Sequence, residues 1–220
     1  MKTMEKYQNK RMLNLPFYVN NGDGNQCYQV AMQSVLKYFL NKEFDVVDLD
    51  RLTERKPEKW TATTQILPAL YDLGLNVRYF TKSDPEPYLK GESYIRELFG
   101  KDADSVLMHA DVEGLVNSVK KTMEYKLATL KVLTTEEIEN HILSNHIPLV
   151  LLDWAKINGS NGTYHGHFGV LTGFDKEQFY FHDSGPSNPT PNKPIKKELF
   201  LRAWNSTGTD NDIVIVYGKR

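Results

Sequence analysis

Cysteine is almost absent from this chain, because Cys27 is the only one in 220 residues. A single thiol excludes an internal disulfide and fits a reducing compartment. Long apolar runs are missing as well: no stretch approaches the roughly 18 apolar residues of a membrane-spanning helix, and the amino terminus has no apolar core of signal-peptide length. These absences predict a soluble, cytoplasmic protein without a membrane partner.

A surplus of either charge is also missing. The 27 Lys and Arg residues nearly balance the 28 Asp and Glu residues, which gives a formal net charge of -1. This balance argues against a nucleic-acid partner. Internal repeats and low-complexity linkers are lacking, and a hydrophobic content of 40% is enough for one substantial core. We therefore predict a single domain over residues 1–220.

What the chain does contain is helical patterning first and strand patterning at its end. An apolar stripe at helical spacing predicts a helix that begins near Cys27, with Gln29 facing outward. A charged, mainly helical segment follows at about 84–128, beside the main core. The last third holds short apolar strands, and the proline-rich stretch "SGPSNPTPNKPIKKE" at 184–198 predicts a loop. Helices before an antiparallel sheet indicate an α+β fold.

Two of these strands carry a histidine and a carboxylate that a hairpin would bring together. In a hairpin the numbers of opposed residues sum to a constant. A sum of 350 puts His167 opposite Asp183, and a sum of 352 makes Asp183 the diagonal neighbour on the same face. Both sums need an odd number of loop residues, whereas an even number would put the two side chains on opposite faces. The spacing leaves both parities open.

Cys27 would complete a nucleophilic site with this pair. The carboxylate fixes the imidazole tautomer, and the other ring nitrogen takes the thiol proton. If Asn25 caps the helix, Cys27 lies in its first turn, where free N–H groups and the helix dipole favour the thiolate. The competing interpretation is a small buried hydrophobic residue, the usual role of a lone intracellular cysteine. The conjunction of a Gly-rich loop, Cys27 and the distant His–Asp pair favours the nucleophile.

Three stretches together resemble the papain-like cysteine peptidases of family thirty-nine, which include bacteriocin-leader-processing peptidases and their stand-alone relatives. They are "NQCYQVAMQSVLKYF", "TTEEIENHILSNHIPLVLLDW" and "GHFGVLTGFDKEQFYFHDSGP". The resemblance implies a papain-like fold, in which an N-terminal catalytic helix packs on a C-terminal antiparallel sheet. It also implies Cys27 as the nucleophile, His167 as general base and then acid, and Asp183 as the orienting carboxylate.

The same resemblance directs attention to the oxyanion hole. Papain-like enzymes normally have a Gln about six residues before the Cys, and here that position is Asn21, which carries the same amide on a shorter arm. Gln26 is the other candidate. Because removing one oxyanion donor costs about 10²–10³ in rate, a weak or inactive enzyme is one of the outcomes that this departure predicts.

Three further residues are candidates for contact with a substrate. Tyr28 stands where the family usually has Gly, and it would crowd the site or shape a pocket. Trp154 follows an apolar strand and would line a groove. His165 has the same strand parity as His167 and is the alternative partner of Cys27.

The residues and the resemblance together predict thiol-dependent acyl transfer without a cofactor, most simply by a cysteine peptidase that acts on a peptide or a small acyl substrate. An acyltransferase with an amine acceptor and an inactive binding module are the alternatives. A metal site made of His165, His167, His182 and Asp183 is disfavoured, because the last two side chains point to opposite faces of one strand. His141 and His146, near a helix end, are interpreted as surface residues or caps. The sequence gives no oligomeric state.

Overall fold

One mixed β-sheet organises the chain, and most of the helices precede its central strands. The computed structural model describes residues 10–160 and 164–220. The strands are β1 (Arg11–Met12), β2 (Leu75–Thr81), β3 (Ala128–Leu130), β4 (Ile147–Asp153), β5 (Gly166–Phe174), β6 (Gln178–Asp183), β7 (Thr190–Lys196) and β8 (Ile213–Lys219). The helices are α1 (Cys27–Leu40), α2 (Val46–Leu52), α3 (Thr63–Asp72), α4 (Glu92–Phe99), α5 (Ala103–His109), α6 (Val112–Glu124), α7 (Thr135–Leu143), α8 (Trp154–Ile157) and α9 (Lys197–Trp204). Within the described ranges, no helix has both the length and the apolar character needed to cross a bilayer.

The sheet order is β3-β2-β8-β4-β5-β6-β7, and β1 adds to β5. Only β2 and β3 pair in parallel among the strand pairs of the described chain, and the other pairs are antiparallel. Helix α1 packs on β5 and β8. The predicted α+β architecture, with the Cys27 helix on a C-terminal antiparallel sheet, is confirmed. The segment from 86 to 124 is also helical, as its pattern predicts, and its longest helix, α6, packs against α3.

The first residue of α1 is Cys27 itself. The residue at the N-cap is Gln26, so the expectation that Asn25 caps the helix is wrong. Asn25 instead belongs to a turn, in which its backbone N–H donates to Asp23 Oδ1 at 2.9 Å. The outward position expected for Gln29 is also wrong. Helices α2 and α3 cover that side of α1, and the buried Gln29 amide donates to two threonine hydroxyls at 3.0 and 3.1 Å.

A β-bulge decides the parity of the β5–β6 hairpin. Phe174 pairs with Phe179, which leaves four loop residues, an even number. With that loop alone, His167 and Asp183 would point to opposite faces. The register then shifts at Thr172, and Val170 pairs with His182. One extra residue in β5 reverses the parity, so the diagonal pairing with a sum of 352 holds at the end of the hairpin where His167 and Asp183 lie.

The proline-rich stretch after β6 is partly a strand, and the expectation of a loop throughout 184–198 is wrong. Residues 190–196 form β7, which pairs with β6. Strand β7 lies at the edge of the sheet, where a residue without an N–H group needs no partner on the open side. Edge position therefore explains how Pro191 and Pro194 fit into a strand.

Candidate active site

Three elements bring Cys27, His167 and Asp183 to one place. Cys27 begins α1, His167 is the second residue of β5, and Asp183 is the last residue of β6. His167 Nε2 lies 3.2 Å from Asp183 Oδ1, and the imidazole also interacts with the Cys27 thiol. Because Nε2 faces the carboxylate, Nδ1 is the nitrogen left for the thiol.

The His167 ring is almost fully buried, next to the Asp183 carboxylate and the Cys27 thiol. Burial alone would lower the pKa of His167, but the contacts with Asp183 and with the Cys27 thiol outweigh it and raise the pKa to about 9. The Nε2–H group is poorly aligned with Asp183 despite the short distance. Such contacts often tighten only when a substrate is bound. The arrangement favours a protonated imidazole next to the Cys27 thiol.

Asp183 is held by more groups than the sequence indicates. Lys193 Nζ lies 2.9 Å from Asp183 Oδ2, and the backbone N–H of Gly185 donates to Oδ1 at 3.2 Å. Burial raises the pKa of this carboxyl, but the interactions with His167 and Lys193 outweigh burial and lower the pKa overall. Asp183 is therefore ionised at neutral pH. Lys193 was missed because it lies in the stretch that the sequence assigns to a loop.

Aromatic rings fix the orientation of His167. Trp154 packs against the imidazole with a centroid distance of 4.6 Å. Lys193 Nζ in turn lies over the Trp154 ring, 4.8 Å from its centroid. Phe181 meets the imidazole edge at 5.9 Å. Trp154 is only 7% exposed. The residue is thus a packing partner of His167, and its contact with a substrate stays a prediction.

Tyr28 is placed in the core, and the structure does not support its expected contact with a substrate. Its ring stacks on Phe168 at a centroid distance of 3.9 Å, and its hydroxyl lies 3.0 Å from the Thr63 hydroxyl. Thr63 in turn donates to Asp212 at 2.8 Å. Asp212 is fully buried, and its pKa is raised to about 7 by burial, against hydrogen bonds that lower it. The side chain of Tyr28 therefore anchors the start of α1 to the core.

An ion-pair network fixes the loop that precedes Cys27. The buried Arg55 guanidinium donates to Asp50 at 3.1 Å and also pairs with Asp23 in the loop. Gln26 Nε2 donates to Asp50 Oδ2 at 2.6 Å. Gly22 covers the other end of this amide so closely that a Cβ there would lie 1.6 Å from Gln26 Oε1. The amide of Gln26 is thus turned toward α2, which argues against its predicted role as an oxyanion donor.

The neighbouring asparagines differ in burial. Asn21, the predicted oxyanion donor, is exposed in the loop. Asn20 is buried, its backbone N–H donates to Ser184 O at 2.8 Å, and its side-chain amide donates to Gly24 O at 3.2 Å. Within the described chain, Asn20 Oδ1 has no hydrogen-bond partner. Counting six residues back from Cys27 reaches Asn21 and not Asn20, so the spacing did not point to Asn20. The role of Asn21 stays a prediction.

The other two histidines of this region, His165 and His182, have surroundings different from those of His167. His165 is exposed just before β5. His167 is buried and lies beside Asp183. His182 Nδ1 accepts from the Asn192 backbone N–H at 3.1 Å, and its Nε2 lies 3.2 Å from Leu15 O. Both nitrogens of His182 are therefore engaged on the other face of β6. Among the described residues, no group of three His, Cys, Asp or Glu side chains could hold a metal ion.

A small enclosed cavity lies next to the thiol. A cavity of about 10 Å³ is lined by Cys27, Ser184 and His182 among others. That volume is about enough for one water molecule. Cys27 itself is partly exposed. A substrate would therefore reach the thiol from the open surface of the protein.

Comparison by sequence identifies one family. The model of a family described as guanylylate cyclase matches residues 24–216, a range that includes Cys27, His167 and Asp183. No curated protein matches the chain.

Comparison by structure gives peptidase domains. A C39-like peptidase from Bacillus anthracis is 14% identical, with a TM-score of 0.54, and the match covers 97% of this chain and 99% of that one. The peptidase domain of Streptococcus ComA, a bi-functional ABC transporter involved in a quorum sensing pathway, is 15% identical over 93% and 98% of the two chains, with a TM-score of 0.49. A double glycine motif protease from an AMS/PCAT transporter, solved with its leader peptide, is 13% identical over 95% and 99%, also with a TM-score of 0.49. The predicted resemblance to family thirty-nine is confirmed at the level of the fold, which the Bacillus anthracis structure shares.

Proposed function

The chain belongs to the family described as guanylylate cyclase, and from its peptidase-like fold and its Cys27 site we propose that it performs thiol-dependent acyl transfer as a cysteine peptidase. One observation carries the proposal: His167 lies between the Cys27 thiol and the Asp183 carboxylate. A buried imidazole with these two partners is the arrangement that activates a thiol for attack on a carbonyl carbon.

In the proposed reaction, His167 holds the thiol proton and Cys27 attacks as a thiolate. The carbonyl carbon forms a bond to Sγ, and its oxygen becomes an anion that the free N–H groups at the start of α1 stabilise. His167 then gives its proton to the departing amine, which leaves a thioester on Cys27. Water, deprotonated by His167, attacks the thioester and releases the acid. Asp183 keeps the imidazole oriented and supports its positive charge through both steps.

The substrate class is proposed as a peptide or a small acyl compound. One cavity next to Cys27 has a volume of only about 10 Å³, and we propose that the open surface around the thiol selects the substrate. A free nucleophilic thiol is stable in a reducing compartment, and we propose a cytoplasmic location for this reason.

The experiment that tests this proposal uses p-nitrophenyl acetate as the acyl donor and intact-mass spectrometry as the readout. We expect one acetyl group on the unaltered protein, attached at Cys27, and none on the Cys27→Ala variant. Acetylation at lysines alone, equal in both proteins, would contradict the proposal and favour an inactive module.

The acceptor of the acyl group is a separate question with its own test. One portion of the acetylated protein is incubated in buffer alone, and a second portion in buffer with hydroxylamine or a primary amine. Loss of the acetyl group in buffer alone supports hydrolysis. Loss only with the amine, with formation of the amide product, supports the acyltransferase alternative.

The family's description suggests guanylylate cyclisation as a second activity to measure. In that reaction a ribose hydroxyl attacks a phosphoryl group, and charge stabilisation rather than a thiol supplies the catalysis. The protein is incubated with GTP and Mg²⁺ or Mn²⁺, and the nucleotides are separated by chromatography. Cyclic GMP formed equally by the protein and by Cys27→Ala would assign the activity to a different site from the one proposed here.

A further inference from the structure

A second pair of histidines lies in a cavity that shares no lining residue with the candidate active site. The cavity has a volume of about 300 Å³. His141, in the last turn of α7, and His146, directly before β4, both line it, together with Lys131, Glu137, Phe80 and Tyr217 among others.

The two imidazoles are held close together by the backbone and by a shared neighbour. The backbone N–H of His146 donates to His141 O at 2.9 Å, which closes the turn after α7. The Tyr217 ring on β8 lies against both, at centroid distances of 5.6 Å from His141 and 4.7 Å from His146. The result is a separation of 3.1 Å between the two Nδ1 atoms.

This separation fits two ligands of one metal ion. Zinc–imidazole bonds are about 2.0–2.1 Å long, so two nitrogen atoms 3.1 Å apart subtend an angle of about 100° at an ion bound to both. That angle lies between the right angle of square-planar coordination and the tetrahedral angle. A hydrogen bond between neutral rings gives the same separation, and that purely structural alternative is what the experiment must exclude.

We propose that His141 and His146 form a two-histidine binding site for a divalent transition-metal ion, through their Nδ1 atoms. No third His, Cys, Asp or Glu joins them in the part of the chain that the structure describes, so water completes the coordination. Glu137 lies in the same cavity, but Lys131 and Thr134 occupy its carboxylate, and we assign it no ligand role.

Both ligands in the proposed site are imidazole nitrogens, and this ligand type determines which metal ions the pair would favour. Imidazole ligands suit Zn²⁺, Ni²⁺ and Cu²⁺, and the general order of affinities predicts that Cu²⁺ binds most tightly.

Metal binding would also stabilise the turn between α7 and β4. His141 belongs to α7 and His146 precedes β4, the strand that leads to Trp154 beside His167. An ion bound to the folded chain and not to the unfolded one raises the unfolding temperature. The site itself is independent of the reaction proposed for Cys27.

The test is titration calorimetry with Zn²⁺ on the full chain carrying Cys27→Ala, which removes the thiol as a competing ligand. We expect saturable binding of one ion, and at least about tenfold weaker binding in His141→Gln and in His146→Gln. His109→Gln is the matched control, since His109 stacks on Trp60 at 4.9 Å and lines no part of the cavity. This control should bind Zn²⁺ as its parent does.

Electron paramagnetic resonance with Cu²⁺ provides a readout that needs no histidine variant. The expected spectrum of the Cys27→Ala protein shows coupling to two imidazole nitrogens. Absence of saturable binding, an unchanged affinity in both glutamine variants, or coupling to fewer than two nitrogens would overturn the metal site and leave a hydrogen-bonded pair. Every protein in these tests carries Cys27→Ala and therefore has no Cys27 activity. Failure of the metal-site proposal would thus leave the acyl-transfer proposal unaffected.

Discussion

The two histidine sites of this molecule differ in what faces the imidazole. His167 faces a carboxylate and a thiol, and the pKa is raised to about 9 in spite of burial. His141 and His146 face each other, and burial lowers the pKa of both. Burial acts in the same direction at the two sites, so the sign of the partner decides the outcome. One site is suited to hold a proton, and the other to offer lone pairs.

The largest expected effect comes from substitutions in the His167 site. In His167→Ala and Asp183→Asn, we expect acetylation of Cys27 by p-nitrophenyl acetate to slow by about 10²–10⁴, because the thiol loses its base or the base loses its orientation. His146→Ala, from the other site, is the matched control and should react at the original rate. A near-normal rate for Asp183→Asn would remove Asp183 from the mechanism.

The next effect is on stability above neutral pH. The pKa of His167 in the folded protein, about 9, is above the ordinary value of about 6.5. Its stabilisation is therefore complete below about pH 6.5 and is lost as the pH rises through 9. Urea unfolding between these limits should show a loss of the order of 3 kcal/mol at most. His167→Gln should flatten this dependence, and a variant that keeps the same slope would show that another group causes it.

Lys193 should have a moderate effect, since it acts on the His167 imidazole only through Asp183 and Trp154. Lys193→Gln removes the cation 2.9 Å from Asp183 Oδ2, so the pKa of Asp183 should rise and acetylation of Cys27 should slow about tenfold. The acidic limb of the pH–rate profile should move to higher pH, a change that loss of packing alone would not cause. Lys196→Gln, an exposed position on the same strand, serves as control. An unshifted profile would contradict the positioning role.

The smallest expected effect belongs to the second histidine pair. The pKa of each ring is lowered in the folded protein, so the unfolded chain binds protons more readily. Stability is then complete above the ordinary value of about 6.5 and falls as the pH drops below it. Both rings are partly exposed, which limits the change to about a few-fold in the unfolding equilibrium. In His141→Gln/His146→Gln the fall should be smaller; an identical fall would assign it to other groups.

The hairpin shows which part of the site a sequence can predict. The strands themselves follow from their apolar patterns. The spacing also allows the diagonal pairing of His167 with Asp183, but it leaves open which of the two hairpin parities occurs. The deciding feature is the bulge at Thr172, which compensates for a loop of even length. A bulge depends on packing against both neighbouring strands, and no local pattern in the sequence marks this one.

Edge strands and buried amides were harder to predict for the same reason. Pro191 and Pro194 indicate a loop until the sheet order places β7 at the edge, and Lys193 was hidden by that assignment. Gln26 has the residue type of an oxyanion donor, but Asp50 on α2 binds its amide. Such tertiary contacts join residues far apart in the chain, so local spacing does not reveal them.

The most direct measurement of the central claim is the rate of Cys27 alkylation by iodoacetamide from about pH 5 to 9. Intact mass reports it cleanly, because the chain has no other cysteine. The same series is run on His167→Ala and, as control, on His165→Ala. The account predicts fast alkylation near pH 6 that is lost only in His167→Ala. Alkylation only above about pH 8, or equal rates in all three proteins, would contradict an activated thiolate–imidazolium pair.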